Sequence, residues 1–179
     1  VNAGISGSTS KTWYEASLDS NTQWGRWVNN EWVWNVSPET AEDDVVSETL
    51  DYSGYDFAII HLGINDIYLM GAEATLDETV STFETNIRYI VDRLKAENTG
   101  IKVFLATIIP SYAYPEHSEY AAINEKIREI ANAIEDVFLI DLNSYSECSG
   151  STPYSHIHLT ALGYHKMATE IKSLISYTI

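Results

Sequence analysis

A side-chain amide and a carboxyl group follow a short apolar run in the first half of the chain. The run is Phe57 to Ile60, and Gly63, Asn65 and Asp66 come after it. Such a run predicts a strand buried on both faces of a parallel sheet. Ligands bind at the carboxyl ends of such strands, where an asparagine amide can donate a hydrogen bond to an oxyanion. The same pattern is also typical of an ordinary turn.

His156 and His158 lie in a serine-rich segment near the C-terminus, just before a predicted helix. A histidine there can act as a general base, or it can simply pack at the start of the helix. Together with His61 the pair would also fit a metal ion, but no other feature supports one. We therefore predict neither a metal nor a cofactor.

The first ten residues are mostly small and turn-forming, and they run from Gly4 through Gly7 to Ser10. Glycine allows close approach to the backbone, so this segment is expected to form a loop whose N–H groups line an anion site. A frayed terminus would have a similar composition.

The elements that would position these residues are predicted from apolar runs that alternate with amphipathic stretches. Strands are expected at Phe57 to Ile60, Lys102 to Ile109 and Val137 to Leu142, and helices at Leu76 to Glu97, Tyr120 to Ile134 and Thr160 to about Ser176, with a shorter one from Pro38. Thr75 and Glu78 form a candidate capping box. The alternation predicts a three-layer α/β/α fold, with a parallel sheet and helices on both faces. The first strand is expected at the centre, between the other two.

Length and charge limit the classes of function. The chain has 179 residues, which predicts a single domain over residues 1–179. A net charge of −16, from 26 acidic and 10 basic residues, disfavours nucleic acid and anionic membranes as partners. No apolar run is long enough to span a bilayer, so a soluble protein is expected, either secreted or cytoplasmic. Cys148 is the only cysteine, which excludes an internal disulfide.

All five tryptophans lie between residues 13 and 34. Their mixed periodicity predicts an irregular segment with a short hairpin across Asn29 and Asn30. Tryptophan faces stack well on sugars and other flat ligands, so Trp27 and Trp34 are candidate substrate-binding residues. The alternative is that the tryptophans cover one side of the core.

Three segments occur in the order of the motif blocks of one family: Gly4 to Ser10, Gly63 to Asp66, and His158 to Thr160. On these segments the chain resembles the SGNH (GDSL-type) hydrolase superfamily, and the resemblance reaches from residue 1 to the C-terminus. It implies a flavodoxin-like α/β fold. It also implies ester hydrolysis, in which a serine attacks an ester carbonyl and a histidine takes its proton.

The resemblance assigns roles to three residues of this chain. The backbone N–H of Gly7 and the side-chain amide of Asn65 correspond to donors of the oxyanion hole, and His158 corresponds to the base. These roles agree with the physical chemistry, because a tetrahedral oxyanion needs several converging donors.

Two features depart from the family pattern. The family has an aspartate three residues before its histidine, where this chain has Ser155, which can orient the ring but cannot stabilise its positive charge. Loss of the acid costs on the order of 10⁴ in a triad enzyme; Asp141 and Glu147 are candidate substitutes. The strand that ends in the Gly-Asp-Ser block is also absent from this sequence. We therefore expect an upstream segment or a second chain to supply the nucleophile and complete the sheet.

The leading interpretation is a serine esterase, an acyl or acetyl hydrolase that acts on a small ester or an acylated carbohydrate. The alternative is a catalytically inactive SGNH-like carbohydrate-binding module that uses the tryptophan-rich segment 13–34. A Gly-Asp-Ser strand just upstream of Val1 would favour the enzyme.

Overall fold

A computed structural model describes Ser10 and residues 24–28, 31–36, 52–68, 74–109, 118–144 and 159–178. In chain order its strands and helices are β1 (Trp24–Val28), β2 (Glu31–Val36), β3 (Phe57–Ile60), α1 (Ile64–Tyr68), α2 (Leu76–Glu97), β4 (Lys102–Ala106), α3 (Ser118–Ala133), β5 (Val137–Ile140) and α4 (Ala161–Thr178). The chain divides into two compact units, one of Val1–Asp56 with Leu62–Ile101 and the other of Phe57–His61 with Lys102–Ile179. The single domain over residues 1–179 stays a prediction.

In the first unit, β1 and β2 form an antiparallel pair in which Trp27 is opposite Trp32 and Trp34 is opposite Gly25. Only Asn29 and Asn30 separate the two strands, so the predicted hairpin is confirmed. The register shifts between Trp24 and Gly25, as it does at a β-bulge. The helix predicted from Pro38 lies outside the described residues.

Helix α2 begins and ends where its local sequence predicts. The Thr75 hydroxyl accepts a hydrogen bond from the Glu78 N–H at 3.2 Å, and the Glu78 carboxylate accepts one from the Thr75 N–H at 2.9 Å. This capping box satisfies N–H groups that the first turn leaves without helical partners. At the other end, the Asn98 N–H donates to the Leu94 carbonyl at 3.0 Å. One apolar stripe of the helix is buried, formed by Phe83, Ile87, Val91 and Leu94.

The second unit contains a parallel sheet of three strands in the order β3, β4, β5. Strand β4 is therefore central among the described strands, and the prediction that the strand from Phe57 lies between the other two is wrong. The burial of the side chains agrees with this order, because β4 is almost fully buried whereas Phe57 and Ile59 of β3 are 38% and 40% exposed. The predicted burial of β3 on both faces is wrong for the same reason.

Helices cover both faces of this sheet. Phe104, Ala106 and Ile140 form a buried cluster on one face, and side chains of α4 pack against it: Met167, Ile171, Leu174 and Ile175. Helix α3 contacts β4 and β5 but contributes no residue to that cluster. It therefore lies on the opposite face, to which alternate strand residues such as Val103 and Leu105 point. The predicted three-layer α/β/α architecture is confirmed.

Strand β4 ends at Ala106, three residues earlier than predicted. The Thr107 N–H still donates to the Ile140 carbonyl at 3.0 Å, but the backbone of Ile108 bonds to a side chain instead of a strand. The Asn124 amide accepts from the Ile108 N–H at 2.7 Å and donates to the Ile108 carbonyl at 2.9 Å. Both partners are buried, so the amide of α3 satisfies polar groups that would otherwise be costly. No described helix has an apolar stretch long enough to cross a membrane.

Candidate active site

The chain turns from strand β3 into helix α1 at Gly63. This residue is buried and has φ of 121°, a conformation that residues with a side chain rarely adopt. Its carbonyl accepts a hydrogen bond from the Ile67 N–H at 3.3 Å, which closes the first turn of α1. Asn65 consequently lies in that first turn, partly buried, a few residues after the carboxyl end of β3. The sequence predicted a turn at Gly63, but it did not predict the short helix.

Asp66, the residue after Asn65, forms hydrogen bonds with a residue that is distant in sequence. The Asp66 carboxylate accepts the Ser10 N–H at 3.1 Å and 3.0 Å from its two oxygens, and it also accepts the Ser10 hydroxyl at 2.5 Å. These bonds join positions that are 56 residues apart in sequence. They attach Ser10 to the start of α1.

A third residue completes this arrangement from the long helix α2. The Asn86 amide donates to the Ser10 hydroxyl at 3.0 Å, across 76 positions of sequence. Asn86 and Ser10 are both buried, at 4% and 0% exposure. The Ser10 hydroxyl thus accepts a hydrogen bond from an amide and donates one to a carboxylate. It acts as both donor and acceptor within one network.

Asp66 sits in surroundings that oppose its charge. Burial raises the pKa of its carboxyl group, whereas the hydrogen bonds from the Ser10 hydroxyl and backbone act in the lowering direction without cancelling the effect. Perturbed carboxyl groups of this kind are common in functional sites, although structural networks produce them too.

His61 immediately follows β3 in the second unit. Its side chain is accessible to solvent, yet the protein surrounds it closely enough that desolvation lowers its pKa. A hydrogen bond with the backbone of Thr107 acts in the opposite direction and is the weaker effect. The imidazole is therefore neutral at pH 7.

The candidate substitute for a triad acid, Asp141, follows β5 and has its own partners. Its carboxylate accepts hydrogen bonds from Arg128 on both oxygens, from the Thr107 hydroxyl at 3.0 Å and from the Ser144 hydroxyl at 2.7 Å. Desolvation acts to raise the pKa of Asp141, but the bonds from Arg128, Ser144 and Thr107 outweigh it and lower the pKa. Asp141 is a charged group held within a structural cluster.

The other residues predicted for the site are placed as follows. Asn65 is the one catalytic candidate among the described residues, while Gly7, Ser155 and His158 lie outside them. Helix α4 begins at Ala161, and the Thr160 hydroxyl accepts from the Gly163 N–H at 3.1 Å. His158 therefore precedes this helix by three positions in sequence.

The two candidate substrate-binding tryptophans belong to the hairpin. Because Trp27 is paired with Trp32, and Trp34 is two residues further along β2, positions 27, 32 and 34 share one face of the ribbon. Among described residues there is no group of three or more His, Cys, Asp and Glu side chains arranged to hold a metal ion.

The fold and the arrangement at the end of β3 define the chain as a three-layer α/β protein. Comparison with known proteins identifies the family within this class. The model of the GDSL-like Lipase/Acylhydrolase family matches residues 1–166. The chain belongs to this family, as its motif blocks indicated. No match was found among curated proteins.

Solved structures share the fold. A GDSL-like lipase from Bacteroides thetaiotaomicron superposes with a TM-score of 0.54 at 19% identity, covering 69% of this chain and 63% of that one. A protein from Bacteroides fragilis, described as an acylhydrolase, has a TM-score of 0.54 at 26% identity, covering 69% and 62%. A carbohydrate esterase of family 3 from Talaromyces cellulolyticus has a TM-score of 0.52 at 18% identity, covering 72% and 64%. The match thus spans less than two thirds of each relative.

Sequence reasoning missed the network of Ser10, Asp66 and Asn86. One signal for it was present, because Asn86 is a polar residue on the side of α2 that carries the buried stripe, next to Ile87. A buried amide in an apolar stripe requires a partner. The pattern alone did not indicate that the partner would be a serine at position 10.

Proposed function

We propose that this chain carries the oxyanion-binding and general-base parts of a serine-type ester hydrolase. The observation that carries the proposal is the place of Asn65, in the first turn of α1 just beyond the carboxyl end of β3. Membership of the GDSL-like family supports the reaction class. The proposed substrate is a small ester or an acylated carbohydrate.

Each proposed role follows from the chemistry of the residue. The Asn65 amide and the Gly7 N–H donate hydrogen bonds to the oxygen that becomes negative in the tetrahedral intermediate. His158 takes the proton of the attacking serine and returns it to the leaving alcohol. The serine itself comes from a segment upstream of Val1 or from a second chain.

The group that orients His158 is proposed to be Ser155. Asp141 is a poor candidate because its two oxygens already accept four hydrogen bonds from Arg128, Thr107 and Ser144, which fills the acceptor sites of a carboxylate. A serine orients the imidazole without offering a negative charge, so the proposed enzyme is slower than one with a complete triad.

The open side of β3 supports the need for a further strand. Among the described strands, β3 pairs only with β4, and Phe57 and Ile59 are substantially exposed. An uncovered strand edge is a site for pairing with another strand. We propose that the segment that supplies the nucleophile also pairs with this edge.

The test uses the full natural polypeptide and the chain of residues 1–179 side by side. We expect the full polypeptide to hydrolyse p-nitrophenyl acetate, and residues 1–179 alone to be close to background because the proposed nucleophile is not among them. His158→Ala should abolish turnover, and Asn65→Ala should lower kcat by about 10²–10³.

Two exposed residues provide matched controls for these substitutions. His165 in α4 and Asn132 in α3 are both exposed, so His165→Ala and Asn132→Ala should leave the rate unchanged. Full activity of residues 1–179 alone would contradict the proposed source of the nucleophile. No hydrolysis of any short ester by the full polypeptide would contradict the reaction class.

A second candidate function is carbohydrate binding without catalysis. It is favoured by one observation, the shared face of positions 27, 32 and 34 on the β1–β2 ribbon. An aromatic face of this kind suits the stacking of a sugar ring. Binding of an oligosaccharide that is lost in Trp27→Ala or Trp34→Ala, by a full polypeptide without esterase activity, would favour this function over the first.

A further inference from the structure

The network of Ser10, Asp66 and Asn86 joins three segments that are remote in sequence. Ser10 is bonded to α1 through Asp66 and to α2 through Asn86, and all these contacts lie within the first compact unit. The network uses four polar groups, which are the Ser10 N–H, the Ser10 hydroxyl, the Asp66 carboxylate and the Asn86 amide.

The position of the network relative to the proposed oxyanion donor Asn65 is the important point. Asp66 is the residue after Asn65, and both lie in the first turn of α1. The hydrogen bonds that fix the Asp66 side chain therefore also restrict the turn that carries Asn65. Through the Ser10 hydroxyl this turn is connected to Asn86 of the long helix α2.

We propose that Asp66, Ser10 and Asn86 are positioning residues, which hold the first turn of α1 and so keep the Asn65 amide in place as an oxyanion donor. The inference rests on the proposed function and extends it to residues that do not touch the substrate. Its physical basis is that oxyanion donors stabilise the transition state only when they are held in place before the reaction. A displacement of about 1 Å can cost about 10²-fold in rate.

The geometry assigns a different part to each residue. Asp66 lies in the same turn as Asn65 and binds the backbone of Ser10 with both of its oxygens, so it acts directly on that turn. The Asn86 amide binds only the Ser10 hydroxyl, so it acts one step further away. Burial raises the pKa of Asp66, which agrees with a group retained in costly surroundings.

The substitutions should therefore differ in strength. Asp66→Ala removes all three bonds from Ser10 to α1 and should lower kcat by about 10²-fold. Ser10→Ala and Asn86→Ala remove only bonds of the hydroxyl and should lower kcat by about 10-fold, whereas Ser10→Thr keeps a hydroxyl and should restore most of the loss. KM should stay within about twofold, because donors that act only in the transition state do not affect substrate binding.

The experiment measures kcat and KM of the full natural polypeptide and these variants on one short activated ester, well below each unfolding midpoint. A boronic acid that forms a tetrahedral adduct with the nucleophile serves as an independent probe of the oxyanion hole. Its inhibition constant should rise in parallel with the fall in kcat. Thr85→Ala is the control, because the exposed Thr85 precedes Asn86 and its hydroxyl donates only to the Ser81 carbonyl of the same helix.

The outcomes separate this inference from the proposed function. An active parent protein whose variants keep the parental kcat, or lose activity only in proportion to their unfolded fraction, would overturn the positioning role and leave the ester hydrolase standing. A rise in KM without a change in the boronic acid inhibition constant would also overturn it. A parent protein that hydrolyses no ester would overturn the proposed function, and the inference with it.

Discussion

The guanidinium group of Arg128 binds Asp141 at two points, with Nε 3.1 Å from one carboxylate oxygen and Nη2 2.9 Å from the other. This two-point geometry fixes the plane of the carboxylate as well as its position. It connects α3 to the segment that follows β5, at the carboxyl edge of the sheet. Asp141 is therefore held for the stability of this edge, and its orientation is already determined.

The cluster around Asp141 predicts a pH-dependent contribution to stability. The folded-state pKa of Asp141 is lowered, so its contribution is fully present above pH about 4, the value for an unfolded aspartate, and is lost as the pH falls through the lower folded pKa. Asp141→Asn should lower the free energy of unfolding by about 1–2 kcal/mol at pH 7, since the pair is only partly buried. Urea titrations at pH 7 and pH 3 should show this difference shrinking at the lower pH.

Glu125→Gln is the matched control for that measurement. Glu125 also contacts Arg128, at 3.4 Å, but its side chain is 66% exposed. Its replacement should change stability far less than Asp141→Asn at either pH. Equal effects of the two substitutions would contradict a special role for Asp141.

The occupied state of Asp141 also predicts the response of position 155. In the full natural polypeptide, Ser155→Asp should raise kcat, because it adds a charge that stabilises a protonated His158, whereas the oxygens of Asp141 already accept four hydrogen bonds. Ser155→Asn is the control, since it adds a polar group of similar size without charge. An unchanged rate in Ser155→Asp would mean that another carboxylate, such as Glu147, already serves His158.

The positive φ of Gly63 predicts that any side chain at this position lowers stability, because of the backbone conformation and not because of the size of the side chain. Gly63→Ala places a side chain at φ of 121° and should lower the free energy of unfolding by about 1–3 kcal/mol. It should also reduce activity, because α1 and Asn65 follow directly. Gly54→Ala should be nearly neutral, since nothing lies within 4 Å of the added atom. Thermal unfolding of both variants gives the comparison.

The bond of Asn124 to both polar groups of Ile108 predicts a large effect from one buried amide. Asn124→Ala leaves a buried N–H and a buried carbonyl without partners and should cost about 2–4 kcal/mol of unfolding free energy. Asn132→Ala lies on the same helix at an exposed position and should change stability by less than about 0.5 kcal/mol. Similar values for the two variants in chemical denaturation would contradict the proposed importance of this bond.

The exposed side chains of β3 predict how the chain behaves without the further strand proposed above. Ile59 is 40% exposed, so Ile59→Lys should reduce self-association of residues 1–179, because a charge on an edge strand opposes pairing between chains. Where the proposed strand pairs with β3, the same change should lower stability. Leu162→Lys, at a 62% exposed helix position, should have neither effect in sedimentation and unfolding measurements.

Local sequence signals predicted the helices and strands of this fold well. Features that depend on contacts between distant residues, such as the order of the strands, could not be predicted. The bounds of α2 follow from the Thr75–Glu78 capping box and its apolar stripe, which lie within the helix itself. The order of the strands could not be read, because the apolar runs of β3 and β4 look alike and their places depend on pairing across about 45 residues. The edge position of β3 is seen only in the structure, from the strand order and from the exposure of Phe57 and Ile59.

The candidate site shows the same division. Asn65 was found from its neighbours in sequence, Gly63 and the preceding strand. The bonds from Ser10 to Asp66 and Asn86 were not, because they span 56 and 76 positions and no periodic pattern encodes such contacts. The four hydrogen bonds that Asp141 accepts could not be predicted either, since they come from side chains at two strand ends and on a helix.

The amide of Asn124 has a consequence for engineering this protein. Because one side chain of α3 already satisfies both polar groups of Ile108, the sequence that follows does not need to supply partners for them. Substitutions beyond Ile109 therefore leave both polar groups of this junction satisfied, provided that Asn124 is retained.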